Sequence, residues 1–162
     1  MALTTAQVQA LKVFVNASVD PNIVDARTRG DTFELSQLLN NPTSPAVNAW
    51  NWSTGAMTLD QGATYTAYDS LTQGKRDEWS IFLQYAPRDM GLGRNRNVVT
   101  DVWGAATSGS IAESVLLAAL TVATVAQNAI GGLSKTTGTV TALQLTFTGQ
   151  VSQQDCQSIL AP

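Results

Sequence analysis

Apolar residues recur at helical spacing through most of the N-terminal part of the chain. Val8, Leu11, Phe14 and Val15 fall on one face of a helix that Thr4 or Thr5 is placed to cap. Asp20-Pro21 then supplies an N-cap followed by proline at the first helical position, and Gly30 supplies a stop. Asp31 and Glu34 have capping-box spacing ahead of a Leu35, Leu38 and Leu39 stripe that runs out at Asn40-Asn41-Pro42. Three short helices follow from these signals, and a loop with two prolines follows the helices.

From Trp50 to Thr64 the pattern is mixed, with glycines and with Met57 and Leu59 alternating with polar residues. This predicts an extended or irregular stretch holding at most a short strand, in which Trp50 and Trp52 share one face. Helical spacing returns from Tyr65 to Pro87, where Trp79, Phe82 and Leu83 stand at i, i+3 and i+4 with Tyr85 beside them. Val98, Val99, Val102 and Trp103 form a further stripe closed by Gly104. Ser110 and Glu113 make a capping box ahead of a long Ala-rich run, Ile111 to Ile130, which is apolar on two helical faces and ends at Gly131-Gly132. Leu143, Leu145 and Phe147 then alternate with Gln144, Thr146 and Thr148 between Gly138 and Gly149, the clearest strand signal in the chain. Ser152 to Leu160 adds a last helical turn.

The expected fold is mainly α with a minor β component. A helical bundle surrounds a central Ala-rich helix, and a C-terminal extended strand or hairpin arm occupies residues 136–162. The whole chain, 1–162, reads as a single domain, long enough to bury roughly two-thirds of its unfolded surface.

Charge alters this picture. Only 13% of residues are charged, about half the ordinary share. From Ser114 to Ser134 there is no charged side chain, and beyond that run only Lys135 and Asp155. Such a half must be covered by membrane, by the rest of the chain or by other copies. The Ile111–Ile130 run is long enough to span a bilayer. It nevertheless carries Ser114, Thr121, Thr124, Gln127 and Asn128 and lacks Lys or Arg flanks, so a helix buried against protein is the better expectation, with no membrane partner.

Chemistry is thinly represented. The chain has no histidine, which removes the commonest general base and zinc ligand, and its single cysteine, Cys156, cannot complete a thiolate zinc site. No metal, no cofactor and no enzymatic activity are expected. The N-terminus carries no signal-peptide pattern, so folding in the cytoplasm is expected. A net charge of −3 argues against sequence-specific nucleic-acid binding.

Two charged groups stand out. The KRDEW run, Lys75 to Trp79, offers Lys75 and Arg76 to a partner; as an acid–base pair, Asp77 and Glu78 point too far apart on a helix. Arg88, Arg94 and Arg96 lie in and before a glycine-bearing loop, GLGRNRN, that lacks the remaining features of a phosphate loop. Pairing with acidic residues of a neighbouring subunit, or plain surface charge, are the readings for these arginines, with Asp101 placed to pair locally. Core packing is the default for the tryptophans, and Cys156 reads as an inert small residue.

The order of LTTAQVQALK, YDSLTQGKRDEW, RNRNVVTDVWG, the Ala-rich run and LTFTGQVSQQD resembles a family of small structural proteins of tailed bacteriophages, of the head–tail connector type. The resemblance implies a non-enzymatic virion protein at the head–tail junction, assembled in the cytoplasm of a bacterial host. It implies a head-to-tail adaptor that docks below the portal in a ring of roughly twelve copies, with cyclic closure of head-to-tail contacts. The implied partners are other copies of itself, the portal protein and tail or nozzle proteins, with passive contact to DNA in a channel. Leu143, Leu145 and Phe147 would then serve in an arm or intersubunit strand, beside Lys75, Arg76, Arg88, Arg94 and Arg96 as interface residues. The alternatives are another virion subunit (tail-tube, tail-terminator or capsid-decorating protein) and a small cytosolic enzyme or regulator. Tail-tube and terminator folds are dominated by β-sheet, so helix content separates them from an adaptor.

Overall fold

In the computed structural model, which describes residues 3–162, the chain is mainly helical with one small four-stranded sheet. Its contacts divide the chain into two compact units. Unit 1 takes Met1–Val47 (described from Leu3), Val122–Gly132 and Thr146–Pro162; unit 2 takes Asn48–Thr121 and Leu133–Leu145.

Unit 1 is helical: α1 (Thr5–Ala17), α2 (Pro21–Arg29), α3 (Thr32–Asn40), α9 (Val125–Ile130) and α10 (Gln153–Leu160). The anticipated caps form. Thr4 and Gln7 make a reciprocal capping box on α1, Asp20 caps α2 with Pro21 behind it, and Asp31 accepts from the Glu34 amide at the start of α3. Leu11, Val15, Ile23, Ala26, Leu35, Leu39 and Ala126 build its core with Phe147, Val151, Cys156 and Ile159. Asn40 clamps the returning chain, donating to Val151 O (2.8 Å) and accepting from Val151 N (2.9 Å).

Unit 2 holds the sheet, in the order β2-β1-β4-β3, from β1 (Asn48–Trp50), β2 (Leu120–Val122), β3 (Gly132–Thr137) and β4 (Val140–Leu145); β2 and β3 each reach the unit boundary by one residue. The β1 and β4 strands run parallel with Ala49 opposite Leu143. Packed with the sheet are α4 (Ala56–Gln61), α5 (Tyr65–Ser70), α6 (Gln73–Gln84), α7 (Gly93–Trp103) and α8 (Ile111–Ala118), around a core that includes Trp50, Leu59, Trp79, Phe82, Val99, Val115 and Leu116. Two close approaches require glycine. A Cβ on Gly62 would sit 2.4 Å from the Val115 backbone, and one on Gly138, at φ +59°, would sit 2.1 Å from Ala106 O.

Four expectations change. The Ile111–Ile130 run is not one central helix: α8 stops at Ala118, β2 intervenes, and α9 restarts behind a second capping box of Thr124 and Gln127. The stop has a local cause, since Leu120 to Val125 is rich in β-branched residues that favour a strand, and Thr124 satisfies the amides of a new helix start. Residues 136–162 are not an extended arm. They supply β4, an interior strand of the sheet, and then the buried Phe147, Val151, Cys156 and Ile159 of unit 1. Trp50 and Trp52 do not share a face, because β1 ends at Trp50; Trp50 is buried and Trp52 is half exposed. Between Trp50 and Thr64 a helix, α4, takes the place of irregular chain.

Candidate functional site

The arginines expected in a surface loop are divided by the structure. Helix α7 begins at Gly93, so Arg94 and Arg96 lie in its first turn. Arg96 is 5% exposed and unavailable to a neighbour. Its Nη1 donates to Met90 O (2.6 Å) and Gly91 O (2.7 Å), and its Nε donates to Thr137 Oγ1 (2.9 Å). Its guanidinium lies over the Trp50 ring at 4.8 Å. Burial pushes its pKa down and the nearby Asp89 carboxylate opposes this, while a guanidinium stays charged. The physical reason for burying it is the tight turn at Asp89–Leu92, whose carbonyls would otherwise lack donors away from water.

Arg88 is half-buried. Its Nε donates to Phe82 O at the end of α6 (2.9 Å), its guanidinium lies over Phe82 (4.6 Å) and Tyr85 (5.4 Å), and its backbone pairs with Thr54 in both directions (2.8 Å each). Arg94 is exposed and makes no hydrogen bond or ion pair among the described residues. Lys75 is committed to Glu78 (2.8 Å), a partly exposed pair one turn apart on α6. The half-buried Arg76 follows it, its Nε without a partner among the described residues. Asp77 accepts from Gln73 (2.7 Å), and Asp101 forms no ion pair among the described residues.

Leu143 and Leu145 are half-buried on β4, where both neighbouring strands already occupy its main-chain groups. Phe147 lies beyond the strand in the core of unit 1, 6% exposed, so it is neither an arm nor an interface residue. Of the residues expected at an interface, Phe147 and Arg96 are core, and Arg94 alone is fully offered to solvent.

Trp79 and Leu83 of the predicted stripe, with residues that the sequence pattern did not single out, form a groove in unit 2 between α4, α5 and α6. Asp60, Ala63, Thr64, Tyr65, Tyr68, Trp79, Ser80 and Leu83 line about 350 Å³. Trp79 Nε1 donates to Asp60 Oδ1 (3.4 Å), and Tyr68 OH and Ser80 Oγ are 3.3 Å apart. Trp79 is in turn held by Phe82 and Trp103, each ring centroid 5.5 Å away. A buried tryptophan needs a partner for its indole N–H, and that requirement is the signal in the sequence that points to a nearby acceptor such as Asp60.

Glu113 fastens the first turn of α8 to the β3–β4 turn. It accepts from Thr139 Oγ1 (2.6 Å) and from the Gly109 amide, which hold its carboxyl below the usual range against an opposing effect of burial. In unit 1, Arg29 reaches Asp25, Asp31 and Glu34, and the Asp25 and Glu34 carboxylates raise its pKa. The Cys156 thiol is buried, which together with the adjacent Asp155 pushes it up to about 12.

The charge-free run is not wholly covered by the chain itself. Leu117 is 51% exposed, Val122 39% and Leu133 66%. Among the described residues no helix is long and apolar enough to cross a membrane, and no cluster of His, Cys, Asp and Glu is placed to hold a metal. Compared with known protein families, with curated proteins and with solved structures, the chain has no match.

Proposed function

We propose that the chain is a non-enzymatic structural protein of a tailed-phage virion: a head-to-tail adaptor whose copies form a ring of roughly twelve below the portal. The observation that carries the reading is the exposure of apolar side chains in the charge-free run, Leu117 and Leu133 in unit 2 and Val122 in unit 1. Apolar side chains in a segment without charges gain by being covered, and a neighbouring protein surface covers them at about 25 cal/mol per Å² of apolar area. The resemblance to connector-type proteins supplies the class of neighbour: other copies, portal, and tail or nozzle proteins. The mainly helical fold favours the adaptor over tail-tube and tail-terminator subunits, whose folds are dominated by β-sheet.

In this reading other protein covers the outer faces of α8 and β3 in unit 2, with the exposed Arg94 offering charge to a neighbour rather than an inserted arm. Cryo-electron microscopy of intact particles tests it. The expected result is density for this fold in a ring at the head–tail junction. Particles that lack the chain, or that carry it in the tail tube or on the capsid exterior, would overturn the adaptor assignment.

A further inference from the structure

The groove between α4, α5 and α6 places three aromatic side chains, Tyr65, Tyr68 and Trp79, around one carboxylate, Asp60. Asp60 is exposed and forms no ion pair among the described residues; its one hydrogen bond is from the Trp79 indole. A guanidinium suits such a site better than an ammonium, because its planar fork pairs with a carboxylate while its face stacks on aromatic rings. The chain already lays a guanidinium over aromatic rings twice, Arg96 over Trp50 and Arg88 over Phe82 and Tyr85, there with backbone carbonyls in place of a carboxylate as acceptors. Arg94, between them in sequence, is exposed and has neither ring nor carboxylate among the described residues.

We propose that this groove receives an arginine side chain, and that the side chain is Arg94 of a neighbouring copy. The assignment of Arg94 rests on the assembly proposed above; the chemistry of the groove does not. The two halves of the contact are different surface features, so the contact is head-to-tail, the type that closes into a ring. Tyr65, 81% exposed in the isolated chain, would be covered by the incoming side chain.

Two measurements test the proposal. In the first, N-acetyl-arginine methylamide is titrated into the chain while the Trp79 indole N–H is followed by NMR. The expected result is a saturable shift, weakened at least tenfold in Asp60→Asn, whose amide oxygen still accepts the indole bond. N-acetyl-aspartate should leave the resonance unmoved. No saturable shift, or equal binding by Asp60→Asn, overturns the groove as an arginine site whatever the chain does in a particle. In the second, particles carrying Asp60→Cys with Arg94→Cys are treated with a short bismaleimide, whose reach replaces that of the lost arginine side chain, and a ladder of cross-linked copies is expected from the double variant and from neither single one. Particles that contain the chain but give no ladder overturn Arg94 as the occupant. Particles that lack the chain overturn the ring together with Arg94, and the NMR result on the groove stands separately.

Discussion

Two arginines perform the same task in different surroundings. In unit 1, Arg27 donates to Val15 O and Asn16 O (2.8 Å each) and so satisfies the last carbonyls of α1 near the surface. In unit 2, Arg96 donates to two consecutive carbonyls, Met90 and Gly91, but from the interior, with Trp50 on its face and Thr137 on its Nε. Water can replace Arg27 and cannot replace Arg96. The cores differ too. Unit 1 has a mostly aliphatic core and buries the neutral polar Ser36 and Gln127, whereas unit 2 holds all four tryptophans and buries the charged Arg96.

This contrast is open to test at matched positions. Arg96→Ala orphans two buried carbonyls and opens space beside Trp50, so a loss of roughly 3–5 kcal/mol is expected. Arg27→Ala should cost only about 1 kcal/mol, because its carbonyls can turn to water. Denaturant titration of both variants checks this, and equal losses would mean that burial does not set the difference.

The next pair concerns glycines at positive φ. Gly138→Ala meets Ala106 O in the β3–β4 turn of unit 2 as well as adopting a disfavoured backbone, and about 2–3 kcal/mol should be lost. Gly30→Ala in unit 1, at φ +68° with open space around it, should lose about 1 kcal/mol. Thermal melts of the two variants compare them directly.

A pH series separates the units more gently. The Glu113 carboxyl titrates below its ordinary value in the folded chain, so its contribution is present above about pH 4.5 and is lost as pH falls through the folded value. Glu113→Gln should therefore flatten the acid limb of unit 2 unfolding as read by tryptophan fluorescence. A limb unchanged from that of the parent chain would remove Glu113 from the account of that turn. In unit 1, Cys156 reports without mutation. Buried and with its thiol pushed up to about 12, it should react with an aromatic disulfide at pH 8 far more slowly than in unfolded chain. Rapid labelling under native conditions would show that the core of unit 1 opens readily.

The same division explains what the sequence disclosed. Helix starts in unit 1 are local: Thr4, Asp20-Pro21 and Asp31 act on amides two or three residues away, and each was legible from spacing alone. The mainly helical class followed from those signals. In unit 2 the decisive partners are far apart. Nothing near residue 49 announces pairing with residue 143, and nothing near Arg96 announces Thr137 and Trp50. The break in the Ala-rich run had a local mark in Thr124 and Gln127, a second capping box, but apolar periodicity ran straight through it. The groove was invisible as a pattern, because Asp60, Tyr65 and Tyr68 are joined by folding and by no spacing rule.

Exposed apolar residues carry the contrast to function. Unit 2 leaves Met57, Tyr65, Ile81, Tyr85, Leu117 and Leu133 outward, and the last two of these lie within the uncharged run. Hydroxyl-radical footprinting of Leu117 and Leu133, in the free chain and in purified particles, tests the assembly reading most directly. Both side chains should be oxidised readily in the free chain and protected several-fold in the particle. Equal oxidation in the two states, with the chain present in the particle, would contradict the claim that this uncharged surface exists to meet other protein.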